Sequence, residues 1–410
     1  MADQPGLVRR LGLADAVFLG LGSMLGAGVF AVLGPAAAAA GAGLLVALVV
    51  AGLVAVANAW SSARLAARYP ESGGAYVYGR RRLGPAWGFV AGWGFVAGKT
   101  ASCAAMALTA GAYAWPAHPR AAGAAAVVVL TLVNCRGVGK TAAVTRGLVL
   151  GTLAVLAVVV GGAVSGPRAG LVTGWEWFPH GPLGVLQAAG LLFFAFAGFA
   201  RIATLGEEVR DPERTIPRAI PLALGIVLVV YALVGTAALV AVGPAALAAS
   251  PAPLVTAVGG DGPLAPLVRA GAALAAAGVL LSLLAGVART VLAMARDREL
   301  PRGLAAVDPG RRVPQRAQVA IGAVVVALAL LVDLRDVIGF SGVAVLTYYA
   351  VAHASALTLP RGGWHSGVAA AGLVGCLVLA VTLPPADVVA GVGVLVAGVV
   401  GRAALARARR

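Results

Sequence analysis

Charge is scarce in this chain. Only 11% of its 410 residues are Asp, Glu, Lys or Arg, against about 25% in a soluble globular domain. Acids are scarcer than bases, 15 against 31. Cysteine occurs three times, as Cys103, Cys135 and Cys376. An odd count without C-x-x-C spacing excludes a disulfide framework and a zinc ribbon. The histidines, His118, His180, His353 and His365, are scattered, and no H-E-x-x-H, G-x-S-x-G or G-x-x-x-x-G-K-[ST] pattern occurs. A membrane-embedded enzyme is therefore the weaker reading, an ATP-driven pump in this chain alone is disfavoured, and no metal or cofactor is expected. No polar stretch is long enough to fold as a soluble domain.

What fills the chain instead is apolar: 60% of its residues are hydrophobic. A membrane-spanning helix needs about 20 such residues in a row. Twelve spans are predicted, at 13–40, 43–66, 84–115, 121–134, 142–164, 183–209, 217–243, 264–297, 315–332, 336–359, 365–383 and 386–404. The expected fold is all-α and integral to the membrane, a single polytopic domain. The first apolar run contains Asp15 and continues into a glycine-rich segment, so it reads as a retained span rather than a signal peptide. Residues 1–12 form a short cytoplasmic N-terminus.

The net charge of +16 is not spread evenly. Only Arg120, Arg168, Arg269 and Arg335 fall on the outer side if both termini face the cytoplasm. Lys99 and Arg201 fall within spans, and the remaining basic residues fall on the inner side. This is the positive-inside bias. It orients the chain in the lipid bilayer of a cell membrane and implies no nucleic-acid partner.

The first span carries LGLGSMLGAGVF, Leu19 to Phe30. A glycine costs a helix interior about 1 kcal/mol relative to alanine. Gly22-x-x-x-Gly26 is a small-xxx-small face suited to close helix packing. The same glycines, with Gly28, also suit a break in the helix, and unwound backbone is tolerated within a bilayer where it lines a cavity or is buried in protein. The sixth span carries a second candidate break at Gly198, followed by Arg201, Thr204, Glu207 and Glu208. Interrupted segments in spans one and six suggest two five-span repeats of inverted topology, 13–164 and 183–359, with the binding site between them. Spans 11 and 12, 365–404, follow the second repeat.

At these residues the chain resembles the amino acid–polyamine–organocation (APC) superfamily of amino acid permeases. The resemblance is carried by GSMLGAGVF at 22–30, YPESGGAYVY at 69–78, FAGFARIATLGEEVRDPERTIPRAI at 196–220 and ARTVLAMARD at 288–297 followed by Leu300-Pro301. It covers 13–360; the last two spans match only in being apolar. The resemblance implies a LeuT-type fold of five plus five helices with two added at the C-terminus. It implies secondary active transport of an amino acid by alternating access, with uptake, exchange and export left open. By position, the substrate carboxylate would meet the amides of Ala27 and Gly28. Its ammonium would meet carbonyls near Met24, Phe194 and Ala197. Phe194 and Phe199 would be candidate gates.

Lys99 is one of two lysines in the chain and lies deep in span three. A charged lysine at a helix centre is disfavoured by about 2.5–3.5 kcal/mol, so Lys99 is a candidate for proton coupling or for reading the substrate. Relatives often carry a coupling amine in span five; this chain has Thr152 there, which makes Thr152 a second candidate. Sodium coupling is supported only by Ser282. Arg201, a third candidate, either faces the pocket or pairs with Glu207 or Glu208. Many cation-selective relatives carry an acid beside it, where this chain has Ala200. Two positive groups without an acid favour neutral, or else acidic, amino acids over basic ones. A channel is disfavoured by the paired breaks.

Overall fold

The computed structural model describes residues 11–26, 28–69, 73–137, 142–166, 177–203, 208–308, 310–311, 313–360 and 363–407. The helices are α1 (Leu13–Leu25), α2 (Gly28–Ala40), α3 (Leu44–Arg68), α4 (Ala75–Arg82), α5 (Pro85–Ala114), α6 (Pro119–Cys135), α7 (Ala142–Ser165) and α8 (Gly181–Phe196). They continue as α9 (Ala200–Ala203), α10 (Pro212–Ala249), α11 (Pro253–Ala257), α12 (Ala265–Arg296), α13 (Gln315–Leu331), α14 (Leu334–Leu357), α15 (Trp364–Thr382) and α16 (Pro385–Arg407). Among the described residues the only β feature is an isolated bridge between Leu11 and Val209. Among the described residues eight helical stretches are long and apolar enough to cross a membrane, and α1, α6 and α13 are shorter apolar helices. Large side chains such as Leu53, Leu331, Val381 and Val389 stand exposed on their outer faces, as a lipid-facing surface requires. The protein is a multi-pass membrane protein.

Two predicted spans have different ends. The sixth does not run as one helix from 183 to 209. It stops at Phe196, turns through Ala197–Phe199, and is α-helical again over Ala200–Ala203, the last described residues before Glu208. Beyond it, the Leu11 amide donates to the Glu208 carbonyl (3.0 Å) and the Arg210 amide to the Leu11 carbonyl (2.8 Å). Backbone that pairs with another segment has left the helix. The seventh starts five residues early because Pro212, lacking an N–H, is suited to the first turn of a helix. It runs on to Ala249 through a kink at Gly243, whose φ of 76° precedes Pro244.

Helix α5 is central. It packs against α4, α6, α12 and α14, and most of its length is buried. Because protein rather than lipid surrounds it, it carries Lys99, Thr100, Ser102 and Thr109 without facing hydrocarbon. Its glycines set its distance from α14: a Cβ on Gly98 would lie 2.8 Å from Val345 and 3.0 Å from Ala344. One turn on, Ser102 and Ser341 share a hydrogen bond of 2.8 Å. The Trp93 indole donates to the Val394 carbonyl (2.8 Å) and fills the space left by Gly398, which docks α16.

A second polar contact joins α3, α14 and α15. His353, fully buried, bridges the Ser61 hydroxyl and the Asn58 side-chain oxygen. Both ring nitrogens are engaged, one by Ser61 and one by Asn58, and the Cys376 thiol of α15 reaches the same Asn58 oxygen at 3.3 Å.

At the arginine-rich end, α4, α12 and α16 meet around Glu299, which is 6% exposed. Arg80 reaches it at 3.3 Å, and Arg402 grips both of its carboxylate oxygens. Tyr76 donates to Asp297 at 2.5 Å. Burial, with that hydrogen bond second, pushes the Tyr76 phenol well above its ordinary range, so it stays a donor at any physiological pH. Replacing Glu299 by alanine leaves two arginines facing each other. We expect a loss of about 2 kcal/mol, below the range for a fully buried pair because both arginines stay partly hydrated, read as a lower melting temperature in detergent.

Candidate functional site

The two helix breaks touch. A Cβ on Gly198 would sit 2.4 Å from the Ser23 carbonyl oxygen and 2.5 Å from its carbon. A Cβ on Gly28 would sit 2.6 Å from the Ala195 Cβ and 2.7 Å from its Cα. Both contacts are with backbone or its first side-chain atom, so only glycine lets the segments approach this far. Helix α1 ends at Leu25, with Gly26 as its cap, and α2 begins at Gly28; Ala27, the expected amide donor, lies outside the described residues, as does Glu207. Gly22 is not part of the break. It lies within α1, where a Cβ would be 3.2 Å from Thr145 and Val149 of α7, so it serves the packing face instead.

The carbonyls at the breaks have protein donors. The Tyr231 hydroxyl, from α10, lies 2.6 Å from the Met24 carbonyl and 3.1 Å from that of Ala195, sharing one proton across the two broken segments. The Ala197 carbonyl accepts from Lys99 Nζ and from the Tyr349 hydroxyl, each at 3.3 Å. Lys99 thus places its amine at the carbonyl end of α8, where the aligned peptide dipoles favour a cation. Its side chain is buried, and the contact joins α5 to the broken segment.

The aromatic residues divide. Phe199 is fully buried and stacks on Tyr349 at 5.1 Å; Phe193 meets the same ring edge-on at 5.7 Å. Phe194, 8% exposed, is the less enclosed of the two gate candidates. Arg201, half-buried beyond the break, is attracted by the Glu208 carboxylate and repelled by Arg289. The Thr152 hydroxyl donates back to Leu148 (2.8 Å) within α7. Ser282, exposed, bonds to Gly278 in its own helix. Neither hydroxyl's hydrogen bond is to the breaks.

Tyr231 and Tyr349 were not anticipated from sequence. Tyr231 is a lone phenol in an apolar run and Tyr349 is one of an adjacent pair with Tyr348; the one signal available is that a buried hydroxyl needs a partner. Replacing Tyr231 by phenylalanine leaves two carbonyls at the breaks short of a donor. We expect a loss of about 1–3 kcal/mol, measured as a lower thermal midpoint with the chain still inserted.

Among the described residues the arrangement brings together a cation, two phenols and the ends of two half-helices, and no nucleophile is paired with a base there. Comparison with known proteins points the same way. The family described as amino acid permease matches residues 11–401, so the match extends through the last two helices as well. An uncharacterised transporter of Mycobacterium tuberculosis is 59% identical over 403 residues, covering 96% of this chain and 90% of that protein. The branched-chain amino acid permease BcaP of Bacillus subtilis is 28% identical over 385 residues, 88% of this chain and 83% of its own. The vacuolar cationic amino acid transporter 4 of Arabidopsis thaliana is 29% identical over 364 residues, 80% of this chain and 60% of its own.

Proposed function

Because the chain belongs to the amino acid permease family, and so is a transporter, we propose that it moves neutral amino acids across the cytoplasmic membrane by alternating access, coupled to protons. In this reading it crosses the membrane twelve times with both termini inside, as two inverted five-helix repeats followed by two further helices. The substrate lies where the two breaks meet. The amides at Ala27 and Gly28 hold its carboxylate at the start of α2, where the helix dipole favours an anion. Carbonyls at Met24 and Phe194 hold its ammonium, next to Gly198, while that of Ala197 is taken by Lys99 and Tyr349. Phe194 closes over it, and Phe199 backs the pocket.

The observation that carries this reading is the Lys99 amine on the Ala197 carbonyl. A protonated Lys99 ties the end of α8 to α5 and stabilises the break in its binding shape. A neutral Lys99 loosens that tie. A proton therefore changes how well the site is formed, which is what coupling requires. Lys99, with Arg201 nearby and Ala200 in place of an acid, repels a side chain of positive charge. The name of the Bacillus subtilis relative fits a neutral substrate; that of the Arabidopsis thaliana relative marks the contrasting class.

The test is counterflow in proteoliposomes against neutral, acidic and basic amino acids. Saturable, stereospecific exchange of neutral ones supports the reading, and exchange of basic ones alone defeats it. A second reading, an obligate exchanger of the same fold, predicts equal counterflow but no net uptake under a proton gradient.

A further inference from the structure

Between α3 and α10 an apolar groove opens toward the bilayer, with a volume of about 260 Å³. Two rows of small or ring-shaped residues at four-residue spacing build it: Ala59, Ala63 and Ala67 on α3, and Pro217, Pro221 and Gly225 on α10. Residues four apart share a helix face, so each row removes bulk from one wall. A Cβ on Gly225 would meet nothing within 4 Å. The space is therefore open there and is not a helix-packing contact.

The groove is not uniform along its length. Its wall on α3 also carries Val56, Trp60 and Arg64. Arg68, exposed, lies one turn beyond Arg64 on the same face, and the exposed Arg214 lies about one turn before Pro217 on α10. Around the start of α10, Arg210, Arg214 and Arg218 outnumber Asp211 and Glu213, all five exposed, so with Arg64 and Arg68 this end of the groove keeps a net positive charge. Trp60 packs against Trp364 and donates to His365 at the rim, in the manner of aromatic residues at a membrane–water boundary. Arg64 spends one nitrogen on the Pro360 carbonyl at 3.5 Å and has other N–H groups to give.

We propose that this groove binds an anionic phospholipid of the arginine-bearing leaflet, with an acyl chain between the two rows and the phosphate at Arg64. An apolar slot closed by cations at one end matches that molecule in both charge and polarity. A zwitterionic lipid offers the same phosphate but brings a cation of its own to the arginines, and a free phosphate leaves the slot empty. The site is distinct from the breaks between α1 and α8 and does not depend on the substrate assigned there.

The full-length protein in nanodiscs of equal parts phosphatidylglycerol and phosphatidylcholine is transferred to mild detergent. Native mass spectrometry then reads the lipids that stay bound. We expect retained phosphatidylglycerol to exceed phosphatidylcholine. Arg64→Gln should reduce that preference about fivefold, the effect of removing one basic residue near a lipid phosphate, while acyl-chain occupancy persists. Gly225→Leu fills open space, so the fold survives and both lipids are lost. Equal retention of the two lipids by the unaltered protein overturns the proposal. So does unchanged retention in Gly225→Leu, or a dimer that this variant splits without altering bound lipid.

Discussion

Replacing Gly198 by leucine should abolish amino acid counterflow while leaving a monodisperse, membrane-inserted protein. The Cβ alone would stand 2.4 Å from the Ser23 carbonyl oxygen and 2.5 Å from its carbon. Overpacking costs about 1–3 kcal/mol where neighbours can shift. Here the neighbour is helix backbone, so the two breaks must part. The strain falls on the shape of the site rather than on the bundle around it. At about 1.4 kcal/mol per factor of ten, transport falls tenfold or more. Gly28→Leu should behave alike, since its Cβ would meet the backbone of Ala195. The control is Gly151→Leu in α7, where a Cβ meets nothing within 4 Å; it should transport normally. Normal transport by both Gly198→Leu and Gly28→Leu would remove the close approach of the breaks from the mechanism.

The second large effect is expected at Lys99→Met. Methionine keeps the length and apolar stem but cannot donate to the Ala197 carbonyl. Neutral amino acids should still exchange in counterflow, with the Tyr349 hydroxyl left to hold that carbonyl. Net uptake driven by an inward proton gradient should fall to the level seen without a gradient. Lys99→Arg tests the same point from the other side: it keeps a cation that does not lose its proton, so it too should lose the response to pH while retaining charge. If Lys99→Met instead gains basic substrates or loses acidic ones and keeps its pH response, Lys99 reads the side chain and the coupling assignment falls.

The sequence carried the breaks well and their partners badly, for a physical reason. Glycines and a lysine inside apolar runs violate the rules for helices in lipid, so they stand out one by one. The groups that meet them are mostly backbone. The Ser23 carbonyl against Gly198, and the Met24 and Ala197 carbonyls against Tyr231 and Tyr349, have no side-chain signature. One motif also served two ends. In the run from Gly22 to Gly28, Gly22 packs α1 against α7 while the break falls four residues later, and residue type alone does not separate the two uses. The end of the sixth span is as hard to read: Glu208 fits a helix leaving the membrane as well as an isolated bridge to Leu11.

That pairing has a mechanical meaning. Leu11 stands two residues before α1 and is clasped from both sides by the segment between α9 and α10. Asp15, in the first turn of α1, in turn grips Arg146 of α7 at 2.5 Å. The near ends of both interrupted helices are thus buttoned together by main-chain bonds, outside the site and out of reach of its ligand. Swinging α1 outward drags the exit of the sixth segment with it unless the clasp opens first. Two hinges so joined have one degree of freedom, and amide exchange should find the Leu11 and Arg210 protons released in the same event.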